Sequence, residues 1–187
     1  MNKKGLYNPA YEHDACGVAF VANMHGEKSR KIVDHALTAL KNLDHRGACG
    51  CEDNTGDGAG ILIQIPHKFL DGIVQNENFS LPEEGQYGTG LVFLPNEISK
   101  AEKCESDFKE IVEENNAEIL GWRDVPIDLS SVGETAKGAA PKIRQIFIGN
   151  FKNVNSQMDI ERRLYVIRKC IEHKISNSEI EGKDNFY

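Results

Sequence analysis

The residue best suited to do chemistry is Cys16, a thiol that stands at the head of a short apolar run. A neutral thiol is a weak nucleophile and needs a base beside it. If Cys16 became the first residue, its own α-amine would be that base, because the ordinary pKa of an α-amine, about 7.7 to 8.0, lies close to that of a thiol, about 8.5. We therefore expect residues 1–15 to be a leader, or propeptide, that keeps this nitrogen in an amide until it is removed. A purely structural alternative is that Cys16 is a small buried hydrophobic residue.

A second candidate group is His45-Arg46-Gly47, about thirty residues after Cys16. It follows a predicted helix, and a structural role is open to it, because glycine commonly ends a helix and a cation suits a helix C-terminus. A guanidinium near Cys16 would instead favour the thiolate over the thiol. The residues alone leave both roles of Arg46 open.

A metal site is not expected at the neighbouring Cys49 and Cys51. Their spacing is not that of a zinc motif, and no second pair follows at the required distance, even when His45 and Asp53 are considered. We predict no metal here.

The glycines of 56–60 also fail as a phosphate-binding loop, because no Gly-Lys-Ser/Thr follows them and the next segment is a predicted strand. A calcium loop is rejected as well, because Gln64 stands where a ligating Glu would be needed. We expect these glycines to allow tight turns and close backbone approach at the floor of a pocket.

Length and composition fit one ordinary domain: 187 residues, of which 40% are hydrophobic and 27% charged. The net charge of -7 argues against nucleic acid or an anionic membrane as a partner, because both would repel an acidic surface. Five cysteines, spread singly, favour a reducing compartment, and we expect a cytoplasmic location. Neither an export signal nor a membrane-spanning run is visible.

The elements that must position these groups are helices and strands mixed along the chain. Apolar residues recur at helical spacing over 29–43, 101–112 and 160–175, and Ser29 is a suitable N-cap for the first helix. Apolar runs predict strands at 16–22, 61–65, 89–94, 119–123 and 143–148. Small residues predict a surface loop over 130–141.

Taken together, these segments resemble the class II glutamine amidotransferase domain of the glutamate synthases, a family of N-terminal-nucleophile hydrolases. The resemblance is carried by Cys16 with its apolar run, by His45-Arg46-Gly47 and by the glycine-dense stretch 54–60. Further stretches match in order across essentially the whole chain, namely 87–95, 120–126, 144–148 and 161–169. Among amidotransferases, the stretch 120–126 resembles one peculiar to glutamate synthase.

The resemblance implies an α+β fold, a four-layer αββα sandwich of two antiparallel sheets. It implies that residues 16–187 are the N-terminal portion of that domain and that the sandwich is incomplete at the C-terminus. The family's carboxylate-binding and oxyanion-hole residues would lie after the last residue given. Losing one oxyanion donor alone costs about 2.7 to 4 kcal/mol in known cases. We therefore expect little or no glutaminase activity from the isolated chain.

The resemblance also implies the roles of individual residues. Cys16 is expected to be the nucleophile, with its α-amine as the base, and Arg46 is expected to organise the site electrostatically. Gly17, His45 and Gly47 are expected to bind the substrate. The thiolate would attack the side-chain amide of glutamine, release ammonia and leave a thioester that water hydrolyses to glutamate.

The expected partners follow from the same resemblance. Besides glutamine, they are the remaining domains of glutamate synthase, where ammonia aminates 2-oxoglutarate, and a small NADPH-oxidising subunit. FMN and an iron-sulfur cluster are expected in those other domains, and no cofactor in this segment. The residues do not decide whether the electron donor is ferredoxin or a nicotinamide.

Two alternatives from other classes stay open at this point. A papain-like thiol protease would also use a cysteine, with a histidine and an asparagine, but would not need a new amine at Cys16. The second alternative is a non-catalytic fragment that serves as a folding or interaction unit.

Overall fold

The computed structural model describes residues 17–43, 56 and 58–180. Within these residues it contains five helices and three strands. They are α1 (Arg30–Asn42), α2 (His67–Val74), β1 (Gly88–Leu94), α3 (Ile98–Glu114), β2 (Glu118–Asp124), α4 (Glu134–Ala139), β3 (Lys142–Gly149) and α5 (Gln157–Ser176). The chain divides into two compact units, one of residues 1–64 and 129–138 and the other of residues 65–128 and 139–187.

Helix α1 is the main element of the first unit among the described residues, and it confirms the helix predicted over 29–43. Its apolar side chains are all half-buried, while the polar side chains Lys31, Asp34 and His35 are exposed. Ser29 occupies the N-cap with an extended backbone, but its side chain makes no capping hydrogen bond. The helix therefore depends on its amphipathic pattern rather than on its cap.

The strands predicted at 16–22 and 61–65 are wrong for the residues that the structure describes, which are 17–22 and 61–65. Neither stretch forms a strand, and Val18, Phe20 and Leu62 are each more than 90% exposed. An apolar run shows that a segment is suited to burial, but a strand also needs a neighbour for its backbone hydrogen bonds. Cys16 itself lies outside the described residues.

The second unit is built on an antiparallel sheet with the strand order β1-β3-β2. Gly88 pairs with Ile148 at one end of the β1-β3 ladder and Leu94 with Lys142 at the other. The β2-β3 register shifts between Ile119 and Gly121, so that a bulge interrupts this ladder. The strands predicted at 89–94, 119–123 and 143–148 are confirmed.

One face of the sheet packs against α3 and α5 and forms the larger core. Its buried residues include Val92, Leu94, Ile111, Val112, Ile146, Ile148, Ile167 and Ile171. The opposite face carries a smaller cluster around the fully buried Phe147, with Leu70 and Val74 of α2 and Tyr87. Both predicted helices, 101–112 and 160–175, are confirmed by α3 and α5.

Two glycines permit close packing in this unit. A Cβ atom at Gly88 would lie 2.5 Å from Leu164 Cδ1 of α5, and one at Gly121 would lie 2.2 Å from Phe79 Cδ1. No side chain fits at either position without a shift of its neighbours. These glycines let a helix and a loop residue approach the sheet directly.

Helices α2 and α4 were not predicted from the sequence. Helix α2 has eight residues and buries only Leu70 and Val74, so its apolar period is too short to stand out. Helix α4 buries none of its residues, and it lies inside 130–141, which was predicted to be a loop. That prediction is wrong in this part because small residues allow a short helix as well as a loop.

None of the helices formed by the described residues is long and apolar enough to cross a membrane.

Candidate functional site

Four of the predicted site residues, Cys16, His45, Arg46 and Gly47, lie outside the described residues. The structure does describe Gly17, which follows the predicted nucleophile directly. It also describes Leu43, which stands two residues before His45. Gly17 and Leu43 are therefore the described residues that lie next to the candidate site in sequence.

Gly17 and Leu43 lie against each other in the first unit. A Cβ atom at residue 17 would be 3.0 Å from Leu43 Cδ2 and 3.3 Å from Leu43 Cβ. Such distances are shorter than ordinary van der Waals contact, so that a larger residue at position 17 requires Leu43 to shift by a few tenths of an ångström. Gly17 and Leu43 are 26 positions apart in sequence. The fold thus brings together two residues that flank the two predicted motifs. No sequence pattern indicates Leu43 as the contact, because a residue that packs on a glycine is not marked by any recognisable spacing or residue type.

The end of α1 bears on the alternative role of Arg46 and Gly47. Leu43 is the C-cap, and its backbone N–H donates to the carbonyl of Leu40. In a glycine-capped helix the glycine follows the C-cap directly, but Asp44 takes that position here and Gly47 comes four residues after the cap. The last turn already carries a cation in Lys41, and the dipole effect falls off within that turn. His45-Arg46-Gly47 itself lies outside the described residues, and both roles considered for Arg46 stay predictions.

The expectation for the glycine-dense stretch is not supported where the structure describes it. Among the described residues, neither Gly58 nor Gly60 has a heavy atom within 4 Å of the place where a Cβ would be, and neither has a positive φ. The predicted tight turns and close backbone approach are therefore wrong for these two glycines. Each of them tolerates a side chain.

The cysteines among the described residues, Cys104 and Cys170, offer no substitute for Cys16. Cys104 is 1% exposed on α3, and burial raises the pKa of its thiol, with Asp107 adding to the effect. A buried thiol of raised pKa stays protonated and is a poor nucleophile. Cys170 is exposed on α5, in the second unit, whereas Gly17, which follows Cys16, belongs to the first unit.

Comparisons with known proteins agree on one family. The family model described as "Glutamine amidotransferases class-II" matches residues 16–187. The chain is 40% identical over 170 residues to the glutamate synthase [NADPH] large chain of Bacillus subtilis, an alignment that covers 91% of this chain and 11% of that protein. It is 38% identical over 188 residues to the glutamate synthase [NADPH] large chain of Azospirillum brasilense, covering 100% of this chain and 12% of that protein.

A plant relative shows the same similarity. The chloroplastic ferredoxin-dependent glutamate synthase of Oryza sativa subsp. japonica is 40% identical over 161 residues, which cover 86% of this chain and 10% of that protein. The chain thus spans about a tenth of the length of these curated relatives.

Proposed function

We propose that this chain, which belongs to the class-II glutamine amidotransferases, is part of the glutamine-hydrolysing domain of a glutamate synthase. The similarity to glutamate synthase large chains over nearly the whole sequence supports this function. The structural observation that carries it is the packing of Gly17 on Leu43, which joins the neighbours of Cys16 and of His45-Arg46-Gly47. Membership of this family also argues against the alternative function of a papain-like thiol protease.

In the proposed mechanism, the α-amine of Cys16 takes the thiol proton, and the thiolate attacks the side-chain amide carbon of glutamine. The same nitrogen then returns the proton to the leaving group, which departs as ammonia. Water hydrolyses the resulting thioester to glutamate and restores the thiol. Arg46 would favour the thiolate by its positive charge, while Gly17, His45 and Gly47 would line the substrate position.

The mechanism requires that residues 1–15 be removed. One observation supports this processing, namely that the family match begins at residue 16. The chemistry requires it too, because an intact Ala15–Cys16 bond leaves the nitrogen of Cys16 as an amide without basicity. We propose residues 1–15 as the leader and 16–187 as part of the catalytic domain.

The four-layer αββα sandwich is proposed as the complete fold of this domain. The β1-β3-β2 sheet with α3 and α5 on one face supports this proposal, because it is compatible with one sheet layer and one helix layer of such a sandwich.

The proposed partners lie in the remainder of the larger enzyme. There ammonia would aminate 2-oxoglutarate, and FMN and an iron-sulfur cluster would supply the electrons; no step of glutamine hydrolysis uses them. A small NADPH-oxidising subunit is proposed because two bacterial relatives are named for NADPH, although the rice relative is named for ferredoxin. We propose a cytoplasmic location from the scattered cysteines.

The nucleophile is tested by labelling the full-length polypeptide that carries this sequence with a diazoketone analogue of glutamine. Peptide mass mapping should find the label on Cys16, with loss of ammonia release from glutamine. The variant Cys16→Ser should take up no label, whereas the control Cys170→Ser, at an exposed cysteine of α5, should label and hydrolyse normally. Labelling at another residue, accompanied by a proportional loss of activity, would refute the assignment of Cys16 as the nucleophile.

A further inference from the structure

The segment that follows the predicted nucleophile has few attachments to the rest of the described chain. Residues 17–22 form no backbone hydrogen bond with any described residue, and the side chains of Val18 and Phe20 are more than 90% exposed. A segment with neither backbone pairing nor burial opens at little cost in free energy. The position of Cys16, which is bonded to Gly17, therefore depends strongly on the contacts that Gly17 makes.

Leu43 provides the nearest of these contacts. The three heavy atoms closest to the Cβ position of residue 17 all belong to its side chain, namely Cδ2 at 3.0 Å, Cβ at 3.3 Å and Cδ1 at 3.3 Å. Both methyl groups of the branched side chain thus lie around one point beside the glycine. Gly17 and Leu43 fit each other in size, and a change in size at either position alters the contact.

Leu43 is itself held by α1. It is the C-cap of this helix, and its backbone N–H donates to the carbonyl of Leu40 at 3.1 Å. Its side chain is half-buried, like the other apolar side chains of α1. Leu43 therefore fixes a segment that has no backbone pairing among the described residues to the end of a hydrogen-bonded helix.

We propose that Leu43 is a positioning residue for glutamine hydrolysis. Its side chain holds Gly17, and through Gly17 it holds the sulfur and the nitrogen of Cys16 in line with the bound amide. A displacement of about 1 Å can cost about a hundredfold in rate when reacting groups must be aligned. Leu43 touches no substrate in this proposal, so that it acts on turnover rather than on binding. The inference rests on the proposed function, in which Cys16 is the nucleophile.

The role of Leu43 is tested by steady-state kinetics of the full-length polypeptide. Leu43→Ala should lower kcat for ammonia release at least about tenfold and change KM for glutamine less than about threefold. Leu43→Met should recover most of kcat, because leucine and methionine differ little in volume. A loss that falls on KM alone overturns the proposal.

Leu37→Ala is the matched control. Leu37 is another half-buried leucine of α1 and lies six residues before Leu43, so that the variant removes the same atoms from the same helix. Its kcat should stay within about twofold of wild type, since alignment of the nucleophile is unchanged. A loss of kcat as large as that of Leu43→Ala overturns the proposal, because the cause would then be the stability of the helix.

A second readout separates the position of the sulfur from its reactivity. With a saturating diazoketone analogue of glutamine, labelling of Cys16 requires alignment with a bound ligand, and Leu43→Ala should slow it at least about tenfold. Iodoacetamide attacks the thiolate directly from solution. Its rate at Cys16 should stay within about twofold of wild type, because the amine that takes the thiol proton belongs to the same residue and moves with it. Equal diazoketone rates in the two proteins, or an equal loss with both reagents, overturn the proposal.

All rates are expressed per polypeptide that begins with Cys16, as found by intact mass, so that a change in leader removal is not mistaken for a change in turnover. A Leu43→Ala protein that retains residues 1–15 in every molecule also overturns the proposal, because Leu43 would then act in processing rather than in hydrolysis.

The wild-type enzyme separates this proposal from the proposed function. If the diazoketone labels wild type at a residue other than Cys16, the proposed nucleophile fails and the role of Leu43 fails with it. If wild type is labelled at Cys16 and Leu43→Ala is labelled and turns over at the same rates, only the role of Leu43 is refuted.

Discussion

The N-terminus of α5 shows at the scale of single residues how a cap works in this chain. Ser156 Oγ accepts a hydrogen bond from the backbone N–H of Asp159, at 3.2 Å, and the Asp159 carboxylate accepts from the Ser156 hydroxyl and from the Asn155 N–H. This arrangement is a variant of the capping box, in which the third helical residue accepts from the backbone N–H of the residue before the N-cap. Ser29 occupies the same position in α1 without a side-chain bond, and the two serines are therefore a matched pair.

Ser156→Ala should lower the opening free energy of α5 by about 1 kcal/mol, because it leaves a helix N–H without its acceptor. Ser29→Ala should change the opening of α1 by less than about 0.5 kcal/mol, since no side-chain bond is lost. Amide hydrogen exchange, read separately for each helix, measures both values. Equal losses at the two caps would contradict the assignment of the bond.

The same cap predicts a dependence on pH. The hydrogen bond from Ser156, followed by the one from the Asn155 N–H, lowers the pKa of Asp159. A lowered pKa in the folded state means that the stabilisation is present above the unfolded pKa, about 3.9, and is lost as the pH falls through the folded value. Asp159→Asn should therefore weaken α5 at pH 7, and the difference from wild type should shrink as the pH falls through the lowered pKa of Asp159 in the folded state. A difference that persists undiminished in acid would show that the carboxylate charge is not its cause.

The contact between Gly17 and Leu43 predicts an effect on catalysis. Gly17→Val in the full-length polypeptide should reduce glutamine hydrolysis at least about tenfold, because it displaces the residue next to the nucleophile. Leu43→Ala should restore part of this loss by making room. Gly58→Val is the matched control, since nothing lies within 4 Å of a Cβ there. Steady-state ammonia release measures all three, and an effect of Gly58→Val as large as that of Gly17→Val would refute the local explanation.

At the scale of elements, α3 and α5 are joined by a buried carboxylate. The side chain of Asp107 is 2% exposed and pairs with Lys103 of its own helix at 2.7 Å and with Lys174 of α5 at 3.3 Å. Asp107→Asn should reduce the free energy of unfolding by about 1 to 3 kcal/mol, because a charge-assisted hydrogen bond from Lys103 and an ion pair with Lys174 are weakened in a buried position.

Glu113→Gln on the same helix is the control for this prediction. Glu113 is 60% exposed and lies 3.9 Å from Lys109, and such surface pairs contribute at most about 1 kcal/mol. Denaturant unfolding compares the two variants. A loss of unfolding free energy for Asp107→Asn as small as that for Glu113→Gln would show that the buried pair does not connect the helices.

Sequence patterns correctly predicted the strands whose pairing partners are among the described residues. The strands at 89–94, 119–123 and 143–148 pair with one another, and their apolar alternation matches the observed core. The segments 17–22 and 61–65 carry equally apolar runs. A run of this kind does not indicate which other segment would provide the backbone hydrogen bonds of a strand. Asp107 had a signal, since it lies on the apolar stripe with Cys104 and Ile111.

The candidate site was predictable only in part. Cys16 and His45-Arg46-Gly47 stood out by residue type and by resemblance, and they remain predictions because they lie outside the described residues. The packing of Gly17 on Leu43 was not predictable, since it depends on which residues tertiary structure brings together. A single sequence does not record such pairs.

At the scale of the whole molecule, the chain spans about a tenth of its relatives. The activity of the chain alone and the activity of the larger enzyme are therefore separate questions. We predict that the isolated 187-residue chain releases no measurable ammonia from glutamine, because on the proposed function the oxyanion-hole and carboxylate-binding residues would be supplied by the larger polypeptide, and the chain spans only about a tenth of its relatives. The full-length polypeptide, assayed beside it at equal concentration, should be active. Activity of the isolated chain equal to that of the full-length protein would contradict this division.

The central claim is that the nitrogen and the sulfur of one residue, Cys16, act together. The most direct test is N-terminal sequencing and intact-mass measurement of full-length enzyme that hydrolyses glutamine. We predict a mass lower by residues 1–15 and a first residue Cys16. An enzyme of full activity that still carries residues 1–15, or whose N-terminal amine is blocked, would contradict the claim.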